Sequence, residues 1–268
     1  MLQSSRLSLQ TVLESANAEI AGGDAREIGE GVLAVVAVLA ENVALRKTLA
    51  DSSESAEKKQ QLLRTLFSTR TSDAVLRLAE KAVGLRWART QDLVTSLEVS
   101  GVTAIAAGAQ AQGQLGQVEE EIFRFARLLE SSHELARALD SNADADVKRA
   151  LVSDLLAGKA EPDTITLINQ AVVYPRGVRV AIALDQYSDV LAARQQRSVA
   201  EVTVAKPLSE DQTDRLAAAL ARSYGRELVL NVQVDPELLG GVRVQVGDEL
   251  MDGSVADRLA EVKRRLAG

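Results

Sequence analysis

No proline occurs before Pro162, and Pro175, Pro207 and Pro236 are the ones that follow. Proline removes a backbone donor and clashes with the preceding turn, so a long stretch without it leaves helices free to run. That stretch is rich in Ala, Leu, Glu, Arg and Gln, which favour helix. Its apolar residues recur at three- and four-residue spacing, as in Leu62, Leu63, Leu66 and Phe67, or Val75, Leu76, Leu78, Ala79, Ala82 and Val83. Polar clusters at 22–24, 51–53 and 68–72 separate the runs, and Asp24 and Ser72 stand where N-caps are expected.

Near Ser198 the period changes. VAEVTVA (199–205) and LVLNVQV (228–234) alternate with β-branched residues, as half-buried strands do. Between them a helix opens on a capping box, Ser209 to Gln212, and closes on Gly225. A third strand, Val242–Val246, and a helix from about Ser254 to Leu266 complete a β-α-β-β-α unit, three strands with two helices on one face. The expected fold is mainly α with a C-terminal α+β domain.

The helical part repeats itself. Residues 44–83 match 134–172: Leu45 pairs with Leu135, Leu49 with Leu139, Leu62 with Leu151, Leu66 with Leu155, Leu76 with Ile165 and Leu78 with Leu167. The offset is 90, falling to 89 after a one-residue deletion. A period this long exceeds that of a solenoid repeat, so each unit is expected to be a whole bundle of roughly six helices. The expected division is a first bundle over 1–105, a second over 106–197 and the α+β domain over 198–268. One long helix from about Thr90 is expected to end the first bundle and begin the second, although Gly101, Gly108, Gly113 and Gly116 disfavour helix there.

Several functions are disfavoured. A net charge of −7 and 3% aromatic content argue against nucleic acid, which attracts basic surfaces and stacks on aromatic rings. The chain has no cysteine, hence no disulfide or thiolate metal site. The most apolar run, Val32–Ala40, is about half the ~20 residues that cross a bilayer, so no direct membrane insertion is expected. The N-terminus shows no signal-peptide pattern. Asp140, Asn142 and Asp144 echo a calcium loop, but Ala145 and Leu151 stand where that loop needs glycine and a bidentate Glu. His133 is the one histidine, which rules out a His–His metal pair within the chain; a solvated or capping role is expected. Trp87 is expected either to mark a contact surface or to seal the base of a bundle. Gly240 and Gly241 precede a strand and Gly247 follows it, whereas a dinucleotide fingerprint puts its glycines between strand and helix. These glycines are expected to turn the chain between two antiparallel strands. No catalytic, cofactor-binding or metal-binding residue is expected.

The C-terminal run VLNVQVDPELLGGVRVQVGDELMDGSVADRLAEVKRRL resembles the signature of the delta subunit of F-type ATP synthases, called OSCP in mitochondria. The resemblance rests on the acidic-proline turn and on Gly240, Gly241, Arg243, Val244, Gly247, Asp252, Ser254 and Leu259. Upstream, LRKTLADSSESAEKKQQLLRTLF is similar to that family's helical domain. The family has one such domain; a doubled one resembles long actinobacterial forms. The resemblance implies a non-catalytic stator subunit, peripheral at the cytoplasmic face of the cell membrane. It would link the α/β catalytic head to a peripheral stalk of b subunits and resist rotor torque. It also implies a groove on a helical bundle that takes an amphipathic helix from an α subunit. The expected groove pairs Leu9, Leu13 and Ile20 of the first helix with Val75, Leu78 and Ala82 of the fifth, with Thr164, Leu167 and Ala171 as the fifth helix's counterparts in the second copy; the same residues also fit a core role. The competing reading is a helical adaptor or regulator with a sensing α+β domain.

Overall fold

The computed structural model describes residues 2–197, 199–224, 228–235, 238, 241–246 and 249–252. It divides into two compact units, 1–192 and 193–268.

The helical unit repeats in length as well as in sequence. Helices α1 (Gln3–Gly22), α2 (Ala25–Glu41), α3 (Val43–Ala50), α4 (Ala56–Phe67) and α5 (Asp73–Gly84) are followed by α6 (Thr90–Ala111). Then come α7 (Leu115–Ser131), α8 (His133–Asp140), α9 (Ala145–Leu156), α10 (Pro162–Val173) and α11 (Val180–Arg197). Helices α2 and α7 each have 17 residues, α3 and α8 each have 8, and α4, α5, α9 and α10 each have 12. Caps repeat too: Asn42 accepts from the Leu45 N–H and Ser132 from the Leu135 N–H, 90 residues on. Lys59 and Lys148, 89 apart and both buried, each donate an ammonium hydrogen bond to a backbone carbonyl, of Asp51 and Val172. Asp24 caps α2 as expected, accepting from the N–H groups of Arg26 and Glu27. Ser72 stands at the N-cap of α5, but its hydroxyl makes no capping hydrogen bond.

Two cores lie in this unit, and α6 serves both. Leu93, Val94, Leu97 and Ala104 pack with Val12, Val36, Leu39, Leu78 and Val83 of the first copy. Val102, Ile105, Ala106 and Ala109 pack with Ile122, Phe125, Leu167 and Leu184 of the second. The helix is continuous through Gly101 and Gly108 and stops before Gly113, whose φ of +71° suits glycine. Gly101 and Gly108 are there because α2 lies almost against α6. A Cβ on Gly101 would stand 2.7 Å from the Leu33 side chain, and one on Gly29 of α2 would stand 2.8 Å from the Ile105 side chain and 2.9 Å from its backbone nitrogen.

The two glycines make a comparison. Alanine raises helix propensity by about 1 kcal/mol over glycine, while overpacking a tight seam costs about 1–3 kcal/mol. At Gly29 the obstacle includes backbone, so Gly29→Ala is expected to lower the thermal midpoint. At Gly101 the nearest obstacle is the Leu33 side chain, with the Gly29 carbonyl at 3.4 Å, so Gly101→Ala is expected to cost less than Gly29→Ala. Thermal unfolding of both variants checks the order.

Among the described residues no single helix is long and apolar enough to cross a bilayer. The bent pair α2–α3 passes such a test only jointly, with a 109° break, and most of the large apolar side chains of α2 are buried.

In the second unit β1 (Val199–Val204), α12 (Glu210–Tyr224), β2 (Val229–Val234), β3 (Val242–Val246) and β4 (Glu249–Asp252) form a mixed sheet ordered β2-β1-β3-β4. β1 runs parallel to β2 and antiparallel to β3, so β2 and β3 flank it instead of pairing with each other, as a simple turn at 235–241 would have made them do. The Asp235 N–H donates to the Val204 carbonyl at the end of β1, which starts the crossing. β4 is a fourth strand beyond the three expected. Ala200, Val202 and Val204 pack with Val244, Val246, Leu220 and Leu228 beneath α12. The capping box of α12 is reciprocal: the Ser209 N–H donates to Gln212 Oε1 at 2.9 Å, and the Gln212 N–H donates to Ser209 Oγ at 3.3 Å. The helix expected over 254–266 and the cap at Gly225 lie outside the described residues.

Candidate docking grooves

The repeat makes the α1/α5 pair of the first copy equivalent to the α6/α10 pair of the second. In the second copy α2 lies along the α6 wall of that groove and is tied to the α10 wall by one ion pair. Arg26 stands beside Gly108, Gly29 beside Ile105 and Leu33 beside Gly101, so α2 lies antiparallel to α6. On the other wall Arg26 pairs with Asp163 of α10 at 2.7 Å, and Asp163 is nearly fully buried. Burial pushes the Asp163 carboxyl up, and the Arg26 charge opposes this. Farther along, Glu30, Leu33, Ala34 and Ala37 face Thr166, Gln170 and Tyr174 across a shallow cleft of about 380 Å³.

In the first copy the equivalent positions are Thr11, Ser15 and Ala18 on α1, 90 residues before Gly101, Ile105 and Gly108. On α5 they are Ala74, Arg77 and Lys81, 89 before Asp163, Thr166 and Gln170. Ala18, Arg77 and Lys81 are exposed and the other three half-buried. Arg77 and Glu19 join the two helices through a bidentate ion pair at 2.9 and 2.6 Å. The Arg77 hydrogen bond holds the Glu19 carboxyl below its ordinary value, against its burial. Ser8 Oγ donates to the Arg86 carbonyl, and Ser5 Oγ donates to Asp92 while accepting from the Ala88 N–H. These buried serines fix α1 on α6 and the connection before it, and nothing in their spacing marks them in the sequence.

The sequence-selected groove residues separate into two groups. Val75, Leu78 and Ala82 are at most 1% exposed and belong to the first core, so they face away from any groove. Thr164, Leu167 and Ala171 are likewise fully buried. Leu9, Leu13 and Ile20 are half-buried. Ile20 packs against the first core, which holds Val75, Leu78 and Ala82, so the α5 set lies inside the bundle and not on an open surface with Leu9 and Leu13.

Other candidates resolve into structural roles. Trp87 is buried and its indole N–H donates to the Ala82 carbonyl, sealing the first core. Asp144 caps α9, Asp140 accepts from the Val180 N–H, and His133 is exposed at the start of α8. Among the described residues no cluster of His, Asp and Glu is arranged to hold a metal. Gly241 has φ +90°, a conformation that needs glycine. Val244 is buried in the sheet core, Arg243 is its neighbour on β3, and Asp252 ends β4. Gly240, Gly247, Ser254 and Leu259 lie outside the described residues.

One ionic site escaped the sequence reading. Glu98 of α6 pairs with Arg176 and accepts from the Tyr187 hydroxyl of α11, all three side chains nearly or wholly buried. Arg176 also donates to Thr95 and Gln186, and its φ of +53° is unusual for a residue with a side chain. Burial pushes the Glu98 carboxyl up, opposed by Arg176 and Tyr187. Burial, then the Glu98 charge, pushes the Tyr187 hydroxyl up.

Comparison with known proteins decides the family. The family model described as the ATP synthase delta (OSCP) subunit matches residues 102–266. The chain is 40% identical over 265 residues to the ATP synthase subunit delta of Thermobifida fusca, covering 98% of each. The chain belongs to the ATP synthase delta (OSCP) subunit family. It is also 44% identical over 245 residues to the subunit delta of Streptomyces coelicolor, covering 91% of this chain and 89% of that one, and 40% identical over 270 residues to that of Nocardia farcinica, end to end in both. Members of the ATP synthase delta (OSCP) family are structural subunits, and this chain is one of them, without catalysis of its own. The family model begins at Val102, inside α6, so its span is the second copy with the C-terminal unit. The near full-length relatives extend across the first copy as well.

Proposed function

We propose that this delta (OSCP) family chain is a stator link, joining the α/β head of an ATP synthase to its b-subunit stalk and resisting rotor torque. It would work as a peripheral subunit at the cytoplasmic face of the cell membrane. The observation that carries the proposal is the near end-to-end likeness to subunits named ATP synthase subunit delta. The helical unit supports it physically. A part under torque must not shear internally, and here the two cores share α6, the Arg26–Asp163 pair ties α2 to α10, and Glu98, Arg176 and Tyr187 tie α6 to α11.

The head would dock through an amphipathic α-subunit helix lying between α1 and α5, a helix-in-groove mode that gains affinity by burying one stripe of the ligand. Affinity among such contacts is set mainly by off-rate, and slow release is what a joint under torque requires. The C-terminal α+β domain, 198–268, would hold the ends of the b subunits. A chain cut after Arg197 is expected to keep binding to the α/β head and to lose binding to b subunits in pull-down. Retained b binding would reject this division of labour.

A further inference from the structure

We infer that this chain takes one head helix, on its first copy alone, because α2 already occupies the corresponding groove of the second. The inference rests on the helix-in-groove reading above and specifies it. It is unexpected from the family comparison, since the matched span takes in the second copy from Val102 onward and omits α1 and α5.

A partner could enter the second groove only by expelling α2, and three observations oppose that. Leu33 is 5% exposed and sits within the second core itself. Arg26 covers Asp163, whose carboxylate would remain buried without its cation. The contact is tight, with no room for a Cβ at Gly29 or Gly101.

At the equivalent positions the first copy changes the chemistry. Where α6 offers Gly101 and Gly108, α1 carries Thr11 and Ala18, whose side chains hold an incoming helix farther off than α2 stands from α6. Where α10 offers Asp163, Thr166 and Gln170, α5 carries Ala74, Arg77 and Lys81. At these three positions the wall loses an acid and gains two cations, of which Arg77 is already held by Glu19 and Lys81 is exposed. The matching occupant is a single amphipathic helix, antiparallel to α1 as α2 is to α6, with a carboxylate toward Lys81. Opposite charge across such a rim steers the encounter and fixes the register.

The test is a calorimetric titration of the full-length chain with a synthetic peptide carrying the N-terminal helix of the same organism's ATP synthase α subunit. One peptide per chain is expected. Lys81→Glu should weaken binding by about tenfold or more, while Thr166→Lys, on the equivalent wall of the second groove, should leave it unchanged. Hydrogen exchange on the unmutated chain provides a readout free of folding artefacts, with protection expected in α1 and α5 and none gained in α10. Two peptides per chain, protection of α10, or loss of binding through Thr166→Lys in place of Lys81→Glu would overturn the single-site inference while leaving helix-in-groove docking intact. No binding to the unmutated chain would overturn the docking reading and the inference together.

Discussion

Replacing Arg176 with methionine is expected to destabilise the helical unit by about 3–5 kcal/mol, the usual consequence of leaving one member of a buried ion pair alone. Glu98 is fully buried in α6, and the Arg176 side chain is 5% exposed. Without the guanidinium, the Glu98 carboxylate would keep the Tyr187 hydroxyl as hydrogen-bond donor and lose its countercharge. The loss should depend on pH with a definite sign. Burial already raises the Glu98 carboxyl above its ordinary value of 4.5, and Arg176 opposes that rise. With Arg176 gone the rise is larger, so the folded state takes up a proton more readily than the unfolded chain does. Stability of Arg176→Met should therefore fall as pH rises from about the ordinary carboxyl value through the raised one, and recover on acidification. A Glu98→Leu, Arg176→Met double variant should regain much of the loss, because apolar replacement of a buried pair is often neutral. The orphaned Tyr187 hydroxyl would still cost about 1–3 kcal/mol. Urea unfolding of the three proteins at about pH 4 and about pH 8 checks this. A single variant within about 1 kcal/mol of the parent, with no pH dependence, would remove the network from the account of rigidity.

Leu78→Glu is expected to unfold the first copy. Leu78 is 0% exposed between Val75, Ala79 and Ala82 in the first core. An unpaired carboxylate there must either remain charged in an apolar site, at a cost of several kcal/mol, or be protonated, which also costs folding energy at neutral pH. Far-UV circular dichroism should show lost helix, and binding of any head helix should fail with the fold. A native spectrum combined with weakened binding would instead place Leu78 on the docking face.

Leu78 also shows where sequence reasoning stops. Three- and four-residue spacing tells which residues of a helix are buried, and it was right that Leu78 and its neighbours belong to a buried stripe. It does not tell whether the burial is against the protein's own core or against a guest. The walls of the proposed groove carry no apolar signal to find: Thr11, Ser15, Arg77 and Lys81 read as ordinary solvated positions, and only their counterparts in the second copy, where α2 lies along α6, draw attention to them. The ionic site was equally hidden, since Glu98 and Tyr187 are 89 residues apart and Arg176 arrives from a loop. By contrast the duplication, the Asp24 cap and the Ser209–Gln212 box were legible, because each depends on residues close in sequence or on a fixed offset. Gly29 and Gly101 needed both kinds of information. A glycine in a helix signals a weakness in propensity, and the neighbour that justifies it belongs to another helix. The sheet order was missed for a similar reason: the segment after β2 looks like a turn, yet β1 lies between β2 and β3.

In the helical unit eleven helices make what would otherwise take twelve, since α6 is the last member of one copy and the first of the next. Neither copy can be excised with its full complement of helices: a cut before Thr90 strips the first of its closing wall, and a cut after Ala111 strips the second of its opening one. A chain reduced to the second copy alone would have to retain α6 and find something else to lie where α2 now rests.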